Sequence, residues 1–261
     1  MADQGWKEVK FRVGDHDLQV ITGGTGKPLL VLHGELGFPG WLKWNAALAQ
    51  KRTLCIPLHP GFGKSPMADW IMDVRDLAAF YSRFVREQKM APVEVIGFSL
   101  GGYIAAEMAI ANSAQFKKMV LVGAAGLKPP QGEIMDMFTL TARAFLNKNV
   151  VDTQGDEFKK LFGGEQTPEQ FEAWEDARAE TARVAWRPYL YTQSMQHLLA
   201  NVADLPTLLV WGKKDAVVPL AAGELYNKKI AGSKLVTLDC GHMPEVEKPD
   251  DFIREVTSFL G

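Results

Sequence analysis

Cysteine is nearly absent from this chain. Cys55 and Cys240 are the two in 261 residues, and their spacing fits neither a metal knuckle nor a disulfide framework. Charge of one sign is missing too. Against 29 lysines and arginines stand 31 aspartates and glutamates, a net charge of −2, with no basic stripe. That excludes the electrostatic footprint of a nucleic-acid or anionic-membrane partner. No apolar run approaches the length of a bilayer span. The opening Met1-Ala2-Asp3-Gln4-Gly5-Trp6-Lys7 is polar, which predicts no signal peptide. A cytoplasmic protein is therefore expected. Histidines and carboxylates show no metal-ligand spacing, so neither a metal nor another cofactor is expected.

What is present is core material. Hydrophobic residues make up 47% and charged residues 23%, enough apolar surface to bury in one large α/β domain or two small ones. Val9 to Val13 and Leu18 to Gly23 read as a hairpin turning through Gly14-Asp15-His16-Asp17. Apolar strands follow at Pro28–His33, Thr53–Pro57, Val93–Phe98, Met119–Val122, Thr207–Gly212 and Lys234–Asp239. Between them lie helical patterns at Trp41–Gln50, Asp73–Gln88, after Ser99, near Ala221–Lys229 and at Pro249–Leu260. Apolar strands alternating with amphipathic helices predict an α/β fold, a mostly parallel sheet with helices on both faces. Residues 127–197 break the alternation: they carry no convincing strand and are rich in aromatics and methionines. This stretch reads as a helical cap inserted between a core of residues 1–126 and 198–261. The blander reading is further helices of the main domain.

The run Val95-Ile96-Gly97-Phe98-Ser99-Leu100-Gly101-Gly102 is the most informative in the chain. A strand that reverses sharply into a helix strains the residue at its apex, and side chains two positions either side would collide. Gly97 and Gly101 meet that demand and lift the Ser99 hydroxyl to the start of the next helix. A serine hydroxyl attacks only when a base takes its proton and an acid orients the base. Asp215 follows the strand Thr207–Gly212, and His242 follows the strand ending at Asp239. Ligands of parallel sheets bind beyond the carboxyl ends of the strands, so the three can converge there. Asp215 could instead cap a helix, and Asp239, at its strand's end, is the weaker acid. His33 reads as structural, His16, His59 and His197 as surface or structural, and Cys240 as a small buried residue. Gly23-Gly24-Thr25-Gly26-Lys27-Pro28 lacks the residues and the helix that a phosphate loop needs, so it reads as a turn.

Five motifs now stand in order: His33-Gly34-Glu35-Leu36-Gly37, Pro60-Gly61-Phe62-Gly63-Lys64-Ser65, Gly97-Phe98-Ser99-Leu100-Gly101-Gly102, Trp211-Gly212-Lys213-Lys214-Asp215 and Gly241-His242. With these the chain resembles an α/β-hydrolase over nearly its whole length outside the cap, and the order Ser, Asp, His is that family's. The resemblance implies that Ser99 is the nucleophile, His242 the general base and then acid, and Asp215 the group holding the imidazolium. It implies an oxyanion hole from the backbone N–H groups of Glu35 and Leu100. Glu35 is unusual there, and its side chain is expected to point away or to pair with a cap cation. His59 stands where relatives often have an aspartate, and the sequence offers no reason for it.

Among such hydrolases, a serine nucleophile argues against epoxide hydrolases and haloalkane dehalogenases. Ring-cleavage-product C–C hydrolases usually carry asparagine before the nucleophile and tryptophan after the histidine, where this chain has Phe98 and Met243. A serine carboxylesterase acting on small to medium apolar esters is the expectation. C–C hydrolysis, perhydrolysis and slow-turnover reception of a small molecule remain as alternatives. Candidate substrate contacts are Phe98, Phe138, Trp186, Tyr189 and Met243, with Arg187 either meeting a substrate carboxylate or paired at the surface. The expected partner is a small-molecule ester, and the expected state a monomer or small homo-oligomer.

Overall fold

The computed structural model describes residues 5–261, so the first four positions of the polar opening lie outside the described residues. Strands β1 (Trp6–Val13) and β2 (His16–Gly23) form the expected hairpin, Val13 facing His16 across its turn. They are followed by β3 (Lys27–Leu32), α1 (Lys43–Ala49), β4 (Arg52–Pro57), α2 (Val74–Glu87), β5 (Val93–Phe98), α3 (Leu100–Ala111) and β6 (Phe116–Val122). Among the described residues one eight-stranded sheet runs in the order β1-β2-β4-β3-β5-β6-β7-β8, with β7 at Thr207–Gly212 and β8 at Lys234–Leu238. Only the β1–β2 and β2–β4 pairings are antiparallel, so six consecutive strands point their carboxyl ends at one edge.

The central strands are apolar on both faces because both faces are covered. Leu30, Leu32, Val95 and Leu121 pack with α2 and α3 on one side, while Leu29, Val31, Ile96 and Val120 pack with α1 and the last helix on the other. Helix α2 starts where the Asp73 carboxylate accepts from the N–H groups of Arg75 and Asp76, satisfying two of its orphan donors. At the opposite edge of the sheet the buried Arg52 guanidinium meets Glu94 at 2.7 Å and the Gly261 carbonyl at 2.9 Å, tying the carboxyl terminus to β4 and β5.

Between β6 and β7 the chain contains no strand. It runs through α4 (Ala142–Lys148), α5 (Asp156–Phe162), α6 (Pro168–Ala185) and α7 (Met195–Leu198). Several hydrogen bonds tie this stretch to the rest of the chain, and two of its contacts reach the loops after β3 and β8. The Thr181 hydroxyl of α6 donates to the Glu35 carbonyl at 2.9 Å, and the Asn149 carbonyl accepts from the His242 and Met243 N–H groups at 2.6 and 3.2 Å. The chain closes with α8 (Leu220–Lys229), α9 (Pro244–Glu247) and α10 (Pro249–Leu260). Among the described residues no helix is long and apolar enough to cross a membrane.

Candidate active site

Ser99 sits between β5 and α3 with φ 45° and ψ −110°, a conformation an L-residue adopts only under constraint, at a cost of about 1–3 kcal/mol. The constraint is visible. The Ser99 N–H donates to the Val122 carbonyl at 2.9 Å, and its own carbonyl accepts from Tyr103 and Ala125, each at 3.1 Å. A methyl group at Gly97 would lie 2.4 Å from the Gly101 carbonyl oxygen, and one at Gly101 would lie 2.1 Å from that of Leu32. Any side chain at either position would force the turn open. The glycines are thus required by close approach of backbone to backbone, as the sequence predicts.

Asp215 and His242 come from the loops after β7 and β8. Asp215 does two jobs at once. Its Oδ1 accepts from the Val217 and Val218 N–H groups at 2.9 and 2.8 Å, and its Oδ2 accepts from His242 Nδ1 at 2.8 Å. Capping of the following backbone and the bond to an imidazole thus fall to different oxygens of one carboxylate. Asp239, the rival acid, is solvent-exposed and paired with Lys214 at 2.9 Å. The imidazole of His242 packs on Gly123 (φ +51°), where a methyl group would stand 2.9 Å from Nδ1. Because Nδ1–H is committed to Asp215, Nε2 is left as the basic nitrogen. Burial opposes charge on this ring, but the Asp215 charge and hydrogen bond, helped by Glu35 and Glu245, outweigh it and push its pKa up to about 9. Ser99 Oγ is buried and has no hydrogen-bond partner among the described residues.

The loop after β3 passes beside the serine: a methyl group at Gly34 would lie 3.5 Å from Ser99 Cβ. Two stacked histidines, 3.7 Å between ring centroids, fix this loop. His33 Nδ1 bonds to the Gly34 carbonyl at 2.8 Å, so Nδ1 carries the proton and the bare Nε2 accepts from the His59 N–H at 3.0 Å. His59 Nε2 donates to the His33 carbonyl at 3.1 Å, and its Nδ1 accepts from the Tyr81 hydroxyl at 2.6 Å. Every ring nitrogen is used with both rings neutral. Burial holds the His33 pKa down to about 4, and burial with the neighbouring His33 ring holds His59 well below the ordinary histidine range. His59 therefore has a structural account that its sequence context did not offer. Neither the Glu35 nor the Leu100 N–H donates to another described group. Leu100 is the first residue of α3, where N–H groups are orphaned and the helix dipole is positive.

Ser99, His242, Gly34 and Glu35 line a cavity open to solvent, of about 640 Å³, walled by apolar groups including Leu36, Phe38, Trp44, Phe98, Leu146 and Met243. Phe98 and Met243 are thus at the cavity. Phe138, Trp186 and Tyr189 lie outside its lining. The Phe138 and Trp186 rings meet at 5.3 Å, Trp186 and Tyr189 at 5.8 Å, and the Tyr189 hydroxyl is held by the Met135 carbonyl and the Met137 N–H. Arg187 borders a separate hollow with Asp73 and Arg75. From the helical stretch only Leu146 and Asn149 reach the main cavity. Glu35 departs from expectation. It is 3% exposed, lines the cavity, and pairs with no cation among the described residues; what the helical stretch grips is its carbonyl. Cys240 is buried, and burial pushes its thiol pKa up, which favours the neutral thiol over the thiolate.

The family model for the alpha/beta hydrolase fold matches residues 27–249. The chain belongs to the α/β-hydrolase fold family. Over 91% of its length this hydrolase-fold chain is 24% identical to 2-hydroxy-6-oxo-2,4-heptadienoate hydrolase of Pseudomonas putida, covering 90% of that protein. Over the same share it is 26% identical to pimeloyl-[acyl-carrier protein] methyl ester esterase of Aeromonas hydrophila, covering 97%. Among solved structures it superposes on an esterase from Exiguobacterium antarcticum with a TM-score of 0.73 at 21% identity, covering 97% of this chain and 99% of that one. Its relatives thus include an ester hydrolase and a hydrolase of another class.

Proposed function

We propose that this chain is a serine hydrolase that cleaves carboxylic esters of small to medium apolar substrates through an acyl-enzyme on Ser99. The observation that carries this reading is His242, held by the buried Asp215 at 2.8 Å, lining one mainly apolar cavity together with the serine of a strained turn. His242 Nε2 takes the Ser99 proton as Oγ attacks the ester carbonyl carbon. The carbonyl oxygen gains the negative charge and accepts from the Glu35 and Leu100 N–H groups, preformed donors of a kind that contribute about 3 kcal/mol each. The tetrahedral species collapses, the C–O bond breaks, and the alcohol leaves with the proton from His242. Water then attacks the acyl carbon, giving its proton to the same nitrogen, and the acid departs as Ser99 recovers its hydrogen.

The helices of residues 127–197 act in this reading as a cap that closes the cavity from above. C–C hydrolysis has a relative behind it, yet the cavity presents Phe98 and Met243 where a polar group would steer a dienolate. Ester cleavage therefore stands first. The test is hydrolysis of p-nitrophenyl esters from acetate to decanoate by wild type and Ser99→Ala. A turnover above about 1 per second, lost in the variant, is expected, with an optimum at short to medium chains. Equal, slow rates for both proteins would overturn the esterase reading and bring reception of a small molecule forward.

A further inference from the structure

Two carboxylates share the cavity with Ser99 and His242. Glu35 enters from the loop after β3 and Glu245 from α9, and they are 3% and 6% exposed. Each leaves its Oε2 buried with no hydrogen-bond partner, and neither forms an ion pair with lysine or arginine among the described residues. The cations of the nearby helix α6 are committed elsewhere: Arg178 to Glu175 and the Met137 and Leu140 carbonyls, Arg183 to Glu180. The Thr181 hydroxyl, which reaches Glu35, donates to its main chain. Burial pushes the Glu245 pKa up to about 7, with Glu247 and Glu35 adding to the rise while its own N–H and His242 resist it. Glu35 is thus close enough for its charge to act on Glu245.

Buried polar atoms in folded proteins are nearly always satisfied, and an unpaired buried carboxylate is among the most costly exceptions. Two such exceptions in one otherwise apolar cavity mark a place where a donor is missing. A primary ammonium, with one positive charge and three N–H donors, can serve both acids at once. The geometry points to a cation subsite formed by Glu35 and Glu245, so that the preferred substrate is an ester carrying an ammonium group on an apolar body. This rests on the proposed reading that the cavity is the substrate site.

The competing role is internal: both acids also favour the imidazolium of His242. Binding without turnover separates the two. Ser99→Ala protein at pH 8, above the value of about 7 for Glu245, is titrated calorimetrically with n-hexylammonium and with 1-hexanol. At least about tenfold tighter binding of the ammonium is expected, the scale of a charge-assisted hydrogen bond in a dry site. Adding Glu35→Gln and Glu245→Gln should bring the two ligands within about twofold of each other, with hexanol affinity unchanged as the sign that the fold is intact. Equal binding in the parent, binding of neither ligand, or a preference that survives both substitutions overturns the proposal. The ester reading is judged apart, by the acyl burst of wild type on neutral esters, so either can fail while the other stands.

Discussion

Three buried histidines in this molecule have opposite electrical fates. His33 and His59 are 2% and 0% exposed, and burial holds both below the ordinary range; His242 is 5% exposed and is pushed up to about 9. Depth does not separate them. What does is the partner of each ring. His33 and His59 bond to carbonyls, an amide and a phenol, groups that satisfy a neutral imidazole. His242 bonds to a carboxylate with two more carboxylates nearby. One set of rings locks a loop, and the other ring is ready to carry a proton.

The contrast can be broken most sharply at Asp215. Asp215→Asn removes the anion that holds His242 and should lower kcat by about a thousand- to ten-thousand-fold. Unfolding by urea should show the His33–His59 lock intact. A loss under tenfold would mean that Asp215 is chiefly a turn cap.

Breaking the other side acts on stability. His59→Leu strands the Tyr81 hydroxyl and the His33 carbonyl, which should cost about 2–4 kcal/mol in urea titrations. A change below the error of the titration would remove the lock from the account.

pH sharpens the comparison with smaller effects, about 1.4 kcal/mol per group for each pH unit. His33 has its folded pKa depressed from 6.5 to about 4, so its contribution is present above 6.5 and lost as pH falls toward 4. His242 has its folded pKa raised from 6.5 to about 9, so its contribution is full below 6.5 and is lost as pH rises through 9. Activity should run against that second trend, because only neutral imidazole accepts a proton. Log kcat/KM should climb with pH toward a plateau near 9, and Glu245→Gln, with one anion fewer, should move the plateau to lower pH. A profile already flat at neutral pH would contradict this picture of His242.

Much of this was legible in the residues themselves. Strand periodicity, glycine spacing and loop position located β3 to β8 and Ser99, Asp215 and His242, since those demands are local to a few adjacent residues. The fixed tautomers of His33 and His59 were not legible, because they depend on a hydroxyl from Tyr81 in another element. Nor was the sharing of one cavity by Glu35 and Glu245, which the topology of the sheet brings together across some two hundred residues of chain. The aromatics at Phe138, Trp186 and Tyr189 were readable as apolar, but which way a helical residue faces is settled by what packs on it, and these packed on one another.

Two of the attachments of the helical stretch bear on how it could be exchanged. One, the Asn149 carbonyl that receives the His242 and Met243 N–H groups, is main chain and available from any residue. The other, the Thr181 hydroxyl on the Glu35 carbonyl, needs a side chain of the right kind. A foreign helical segment spliced between β6 and β7 would thus inherit the first anchor from its backbone path alone. It would need a serine or threonine at one position to recover the second. These two alone would not seat it: the Met135 N–H on the Val217 carbonyl and the Val151 N–H on the Glu247 carboxylate would have to be rebuilt as well.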